Sequence, residues 1–180
     1  NKERFLSICE QQIHREGLPA LMAWLEKSDF YEAPASTRYH GNHPGGLLEH
    51  SLNVFDELNR LRSAFPGVPM SDETAAIISL FHDLCKVNMY QPEKRNRKTP
   101  DGRWEQYDAY SIQEKFCFGG HGSKSVFLVQ TFLKLTPEEA VAINCHMGAF
   151  DGDQYVGKSF EQYPMAWLLH VADGAATYIK

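Results

Sequence analysis

Residues 73–86 read ETAAIISLFHDLCK, and within AAIISLFHDL (75–84) only Ser79, His82 and Asp83 are polar. An apolar stretch of helical length with no polar stripe belongs at the centre of a fold. Ser71 can cap such a helix, and Asp72 and Glu73 fall in its first turn, where negative charge is favoured. The sequence therefore predicts a central helix running through Lys86, and with it a carboxylate, Asp83, inside a core.

The preceding segment, YHGNHPGGLLEHSLNV (39–54), makes the same demand of a histidine. If Pro44 to Gly46 opens a helix, Leu47, His50, Val54, Leu58 and Leu61 recur at i, i+3, i+7, i+11 and i+14, which is one helical face. His50 thus lies on the side that buries. FPGVP (65–69) ends this helix, since its two prolines and glycine break the repeat. Further on, Thr136-Pro137-Glu138-Glu139 is a capping box with proline at the first helical position, opening AVAINCHM, in which His146 shares a face with Ala142 and Ile143. The last helix spans about 164 to 179, and in it Asp173 stands among Leu169, Ala172 and Ala176 with no basic residue near in sequence.

The remaining chain fits around these helices. Residues 3–15 and 18–28 read as two helices divided by Gly17, forming an N-terminal cap over residues 1–30. Between Val87 and Tyr110 the composition turns polar, and Pro100-Asp101-Gly102 marks the turn of a short exposed hairpin. GGHGSKS (119–125) begins a helix near His121, and a loop rich in Gly and Asp precedes the final helix. The expected fold is an all-α bundle of about seven helices with one small β-hairpin. One domain is expected over 1–180, its core in 39–180.

Composition sets outer limits. The 180 residues are 43% hydrophobic and 12% aromatic, enough for a real core. A formal charge of −5 argues against gripping long nucleic acid by charge alone, which needs a broad basic surface. Cys9, Cys85, Cys117 and Cys145 are widely spaced, form no CxxC pair, and read as reduced thiols. No apolar run approaches the roughly 20 residues of a spanning helix, and the first residues lack the apolar centre of a signal peptide. A soluble cytoplasmic protein without a membrane partner is expected.

Two buried carboxylates need positive partners, because an unpaired buried charge costs several kcal/mol against a net stability of roughly 5–15 kcal/mol. No lysine or arginine shares the apolar faces that carry His50, His82 and His146. A bound divalent cation would satisfy imidazoles and carboxylates together.

His50, then His82-Asp83, then Asp173 in HVAD, each in its own helix, resembles the H…HD…D signature of the HD superfamily of metal-dependent phosphohydrolases. PGGLLEHSLNV and FHDLCKV resemble the GGLLxH and HDLGK segments of members acting on nucleotides or nucleic acid, including HD domains of bacterial exoribonucleases and of relaxase-associated conjugation proteins. The resemblance covers residues 39 to about 176 and implies an HD-like helical bundle. It implies that His50, His82, Asp83 and Asp173 hold a first metal, that Asp83 bridges to a second, and that His121 and His146 complete the second position. One or two divalent ions are implied, with Mn, Fe, Co, Ni, Mg and Zn all compatible. The chain departs from related sequences in two places: His146-Met147-Gly148 stands for His-His-Gly, and Cys85 stands for the glycine of HDLGK.

The implied activity is hydrolysis of a phosphoester of a nucleotide or short nucleic-acid phosphodiester by a metal-activated water, of phosphodiesterase or nucleotidase type. A non-catalytic nucleotide or nucleic-acid binding module of the same fold is the alternative. Asp83 and Lys86 are the candidate catalytic residues; Lys86, three residues after Asp83, would emerge on the metal side and hold a substrate phosphate. Lys124 and the glycines around His121 form a second candidate phosphate position at a helix start. His40 and His43 are placed to line the pocket mouth, His43 as a further phosphate contact, and His170 to steady Asp173. Lys94, Arg95, Arg97, Lys98 and Arg103, with Tyr90, Trp104 and Tyr107 nearby, make the hairpin either a solvated charged arm or a guide for a single strand.

Overall fold

A computed structural model describes residues 1–151 and 154–179. Among them are eight α-helices and one two-stranded antiparallel sheet, in the order α1 (Lys2–Gln12), α2 (Leu18–Glu26), α3 (Gly46–Ala64), α4 (Asp72–Phe81), β1 (Tyr90–Lys98), β2 (Trp104–Ile112), α5 (His121–Gln130), α6 (Pro137–Cys145), α7 (Val156–Gln162) and α8 (Pro164–Tyr178). α3 packs against α4 and α8, and α6 against α5 and α8. One apolar cluster runs from Phe5 in α1 to Ala176 in α8. The two N-terminal helices share it: Phe5 is fully buried against Phe30 and Phe81. No described helix is long and apolar enough to cross a membrane.

α3 begins where the Pro-Gly-Gly turn predicts, and the loop before it explains why glycines are needed. Gly45 is left-handed at φ 79°, a conformation that a side chain disfavours. The Leu47 N–H donates to the Ala33 carbonyl and the Gly45 N–H to the Glu32 carbonyl, each at 2.9 Å. These bonds satisfy groups that a helix start leaves open and fix loop 32–41 over the helix end. A Cβ on Gly46 would lie 2.0 Å from the Gly41 carbonyl oxygen. Gly46→Ala must therefore push that loop away and is expected to lower stability by about 2 kcal/mol, read by thermal unfolding.

α4 is capped as expected, Ser71 accepting from the Thr74 N–H at 3.0 Å, and Ala75 to Phe81 are all buried. It is shorter than expected. The helix stops at Phe81, His82 is its C-cap, and Leu84–Lys86 form a separate 3-10 turn. The capping box of α6 is present with both of its bonds. α7 is the one helix beyond the seven expected and occupies part of the stretch read as a Gly/Asp-rich loop; Gly152 and Asp153 of that loop lie outside the described residues. The hairpin is longer than expected, with nine residues in each strand, paired from Tyr90↔Ile112 to Lys98↔Trp104.

Candidate metal centre

Six side chains from five places in the fold meet at one end of the bundle. His50 comes from the second turn of α3, His82 and Asp83 from the end of α4, His121 from the first residue of α5, His146 from the end of α6, and Asp173 from α8. His50, His82 and His146 are 3% exposed or less, and Asp83 is 2% exposed. Their donor atoms form overlapping triples in which all atoms lie within 4.8 Å of one another: His50, His82 and Asp173; His82, Asp83 and His146; and Asp83, Cys85 and His121.

Asp83 divides the cluster. Its Oδ2 lies 3.4 Å from His82 Nε2 and 3.6 Å from His50 Nε2, while its Oδ1 lies 2.7 Å from His121 Nε2 and 3.4 Å from His146 Nε2. Asp173 Oδ1 closes the first side at 3.0 Å from His50 Nε2. The two halves thus share one carboxylate, an arrangement suited to one ion or to a bridged pair.

Backbone geometry sets which ring nitrogen faces inward. His82 and His146 are both C-cap residues with nearly the same conformation, φ −57° ψ −32° and φ −59° ψ −32°. Each donates Nδ1–H to the carbonyl three residues earlier, His82 to Ser79 at 2.8 Å and His146 to Ile143 at 2.6 Å. Those bonds fix the tautomer, so Nε2 of each ring carries its lone pair into the cluster, as metal-binding imidazoles require. Nε2 of His146 is fully buried and has no hydrogen-bond partner. A buried acceptor without a donor costs about 1–3 kcal/mol, and a cation removes that cost. The residues present therefore fit a divalent ion, by donor type and by this orphaned nitrogen.

Electrostatics agree at Asp83, Asp173 and His82, while at His146 Asp83 favours a proton that a cation would have to displace. Burial pushes the Asp83 carboxyl up, yet Lys86 and then His82 and the other rings hold it well below the usual carboxylate range. Asp173 is likewise lowered against its burial, chiefly by the bond to His50. Burial lowers His82 and keeps it neutral, while His146 is raised because Asp83 outweighs burial there. Burial and Asp83 push the Cys85 thiol up to about 12.

A cavity of about 340 Å³ opens over the cluster, lined among others by Asp83, Lys86, His121, His146, Asp173 and Met147, with Tyr39, His40, Tyr90, Phe150 and Tyr178 around them. Lys86 reaches the cavity as expected, though from the 3-10 turn rather than from a continuing helix, and its Nζ lies 2.6 Å from Asp83 Oδ2. The His40 ring lies 4.5 Å from the His50 ring, tilted by 43°, and burial lowers its pKa to about 4. Met147 also lines the cavity.

Other expected contacts lie elsewhere. His43 is exposed, its Nε2 3.8 Å from Glu49, outside the cavity lining. Lys124 is buried against Glu114 at 2.6 Å and is not part of that lining. The glycine-rich start of α5 is also taken: the N–H groups of His121 and Gly122 each donate to the Asp151 carboxylate at 3.2 Å. Gly122 serves packing, because a Cβ there would meet the Asn144 carbonyl oxygen at 2.1 Å. His170 donates Nδ1–H to the His146 carbonyl at 2.7 Å and so steadies His146 rather than Asp173. In the hairpin, Lys94 pairs with Asp108, Arg95 with Glu93, Arg97 with Glu105 and Arg103 with Asp101. Most of its positive charge is neutralised within the hairpin, which favours the solvated arm.

No family model, curated protein or solved structure matches the chain. It is a mostly helical protein with His and Asp clusters that could hold a metal ion. The sequence located the six inward groups but gave no sign of Asp151, since a carboxylate in an irregular loop has no periodic context. The aromatic rim was equally hidden, because Tyr39, Phe150 and Tyr178 are brought together only by the tertiary fold.

Proposed function

We propose that the protein is an HD-type metal-dependent phosphohydrolase that cleaves a phosphoester of a nucleotide or a short nucleic-acid phosphodiester. The observation that carries this reading is the convergence of His50, His82, Asp83, His121, His146 and Asp173 beneath an open cavity, with Nε2 of His82 and His146 held inward by their own helices. A divalent cation held by these groups supplies Lewis acidity at a phosphoryl oxygen and a nucleophile near neutral pH.

The chain's own residues supply the rest. Asp83 and Asp173 stay ionised despite burial and offer fixed negative charge to the cation. Lys86 is held charged because Asp83 outweighs the cost of burying it. Its ammonium borders the cavity, where it can receive a phosphate oxygen as negative charge builds. Tyr39, Phe150 and Tyr178 are exposed around the cavity and offer faces on which a base can stack.

The test is elemental analysis of protein purified without chelator or affinity nickel, followed by a Mn-supplemented screen over nucleotides, cyclic nucleotides and short oligonucleotides. Metal-dependent phosphate release or chain cleavage is expected, with Lys86→Met lowering kcat/KM by about 10²-fold. Met147, where related two-metal sequences carry histidine, favours one second reading: a binding module of the same fold. That reading predicts saturable nucleotide binding with no turnover under any ion.

A further inference from the structure

We propose that Cys85 is a metal ligand, its sulfur joining His121 and Asp83 in a second cation position selective for a thiophilic divalent ion such as Zn, Co or Fe. The proposal rests on the reading of this cluster as a metal centre and adds to it a ligand of a different chemical kind.

Three observations carry it. Cys85 Sγ lies 3.3 Å from His121 Nε2, and both belong to a triple with Asp83 whose donor atoms are all within 4.8 Å of one another. Two ligands on one tetrahedral ion, at about 2.3 Å for sulfur and 2.0 Å for nitrogen, are separated by about 3.5 Å. Sulfur and nitrogen are therefore already spaced as neighbouring ligands. Secondly, the sulfur is held in place. Cys85 is 2% exposed, it sits in the 3-10 turn after Asp83, and its N–H donates to the fully buried Ser125 Oγ at 3.1 Å. Thirdly, the same side of Asp83 has an unfilled donor. His146 Nε2, buried and without a hydrogen-bond partner, lies 3.4 Å from the Oδ1 that His121 contacts at 2.7 Å. Sulfur, one imidazole nitrogen and a carboxylate oxygen make a three-donor set, with His146 facing the same carboxylate from the neighbouring triple.

Binding exchanges a proton for the ion. The Cys85 S–H bond breaks, its proton goes to solvent, and a sulfur–metal bond forms with no change in oxidation state. Thiolate favours borderline and soft ions over Mg or Mn. The second position would thus differ in metal preference from the first, which draws on His50, His82 and Asp173.

The experiment is titration of the metal-stripped full chain with Co²⁺ alone, followed by absorption through the near-ultraviolet and visible. A thiolate-to-cobalt charge-transfer band is expected with the wild type. It should be lost in Cys85→Ser and Cys85→Ala, while the visible ligand-field bands of a nitrogen and oxygen site persist in both. The second cobalt equivalent should weaken by at least about 10- to 100-fold, no less than loss of an outer hydrogen-bond partner costs. Ligand-field bands without a charge-transfer band in the wild type would overturn the role of Cys85 and leave the metal centre standing. A charge-transfer band that survives in Cys85→Ser would place the thiolate on another cysteine and also overturn it. Failure of the wild type to take up cobalt would overturn both readings.

Discussion

Asp83→Asn is expected to strip the protein of bound metal and to lower metal-dependent hydrolysis by about 10³-fold or more, roughly 4 kcal/mol of barrier. The size follows from position. One oxygen of Asp83 faces His50, His82 and Lys86, the other His121 and His146, so a single carboxylate serves both halves of the cluster. Asparagine keeps the shape but removes the charge and turns one acceptor into a donor, which can still satisfy a histidine lone pair and leave the fold intact. Asp83→Ala should differ in one respect. Both variants take the carboxylate from the Lys86 ammonium, 8% exposed, but alanine also takes the amide oxygen that can still accept from it, and a further loss of about 2 kcal/mol is expected. Metal content of the purified variants and their thermal unfolding read the two effects separately. Wild-type metal content in Asp83→Asn would refute the assignment of the cluster.

Far from that cavity, Glu139→Ala is expected to destabilise the fold by about 3 kcal/mol and lower Tm by roughly 10 °C. Glu139 is the acidic member of the α6 capping box, but the fold uses it more widely. Its side chain is fully buried, accepts from both Arg15 Nη1 and Nη2 at 2.7 and 2.6 Å, and accepts from Thr74 Oγ1 at 2.9 Å. The loop after α1, the start of α4 and the start of α6 are thereby tied to one carboxylate. Burial pushes that carboxyl up, while the Arg15 bonds and the Thr136 N–H hold it below its ordinary 4.5. A depressed folded-state pKa stabilises above the unfolded value and is lost as pH falls through the folded one. The gap between wild type and Glu139→Gln should be full at neutral pH and shrink below about pH 4.5. A gap that widens in acid would contradict this role.

The sequence carried most of the helical frame because its signals were local. Ser71 and Thr136 cap the helices they precede, and the apolar repeat around His50 and the all-round apolar run before His82 found real core faces. The end of α4 was misplaced because propensity cannot see that His82 folds back onto the Ser79 carbonyl, which makes it a cap rather than a mid-helix residue. α7 was missed because seven residues around Gly157 and Lys158 leave too little apolar repeat to read. Five members of the His/Asp cluster, His50, His82, Asp83, His146 and Asp173, were legible as misplaced polarity, each looking wrong for its own helix, whereas His121 came only through the resemblance. The fates of Lys124 and of the α5 start were not, since Glu114 and Asp151 reach them from segments with no pattern of their own.

The matching ends of α4 and α6 have an electrostatic consequence. Each helix stops at a histidine of the cluster, so the negative poles of two peptide dipoles, about half an elementary charge apiece, point into the same cavity as Asp83 and Asp173. With Lys86 the only ammonium bonded to either carboxylate among the described residues, these poles add to the negative charge that faces the cavity. On the proposed reading, a phosphate arriving first would be repelled and a cation drawn in, so the backbone would favour loading the cation before the anion.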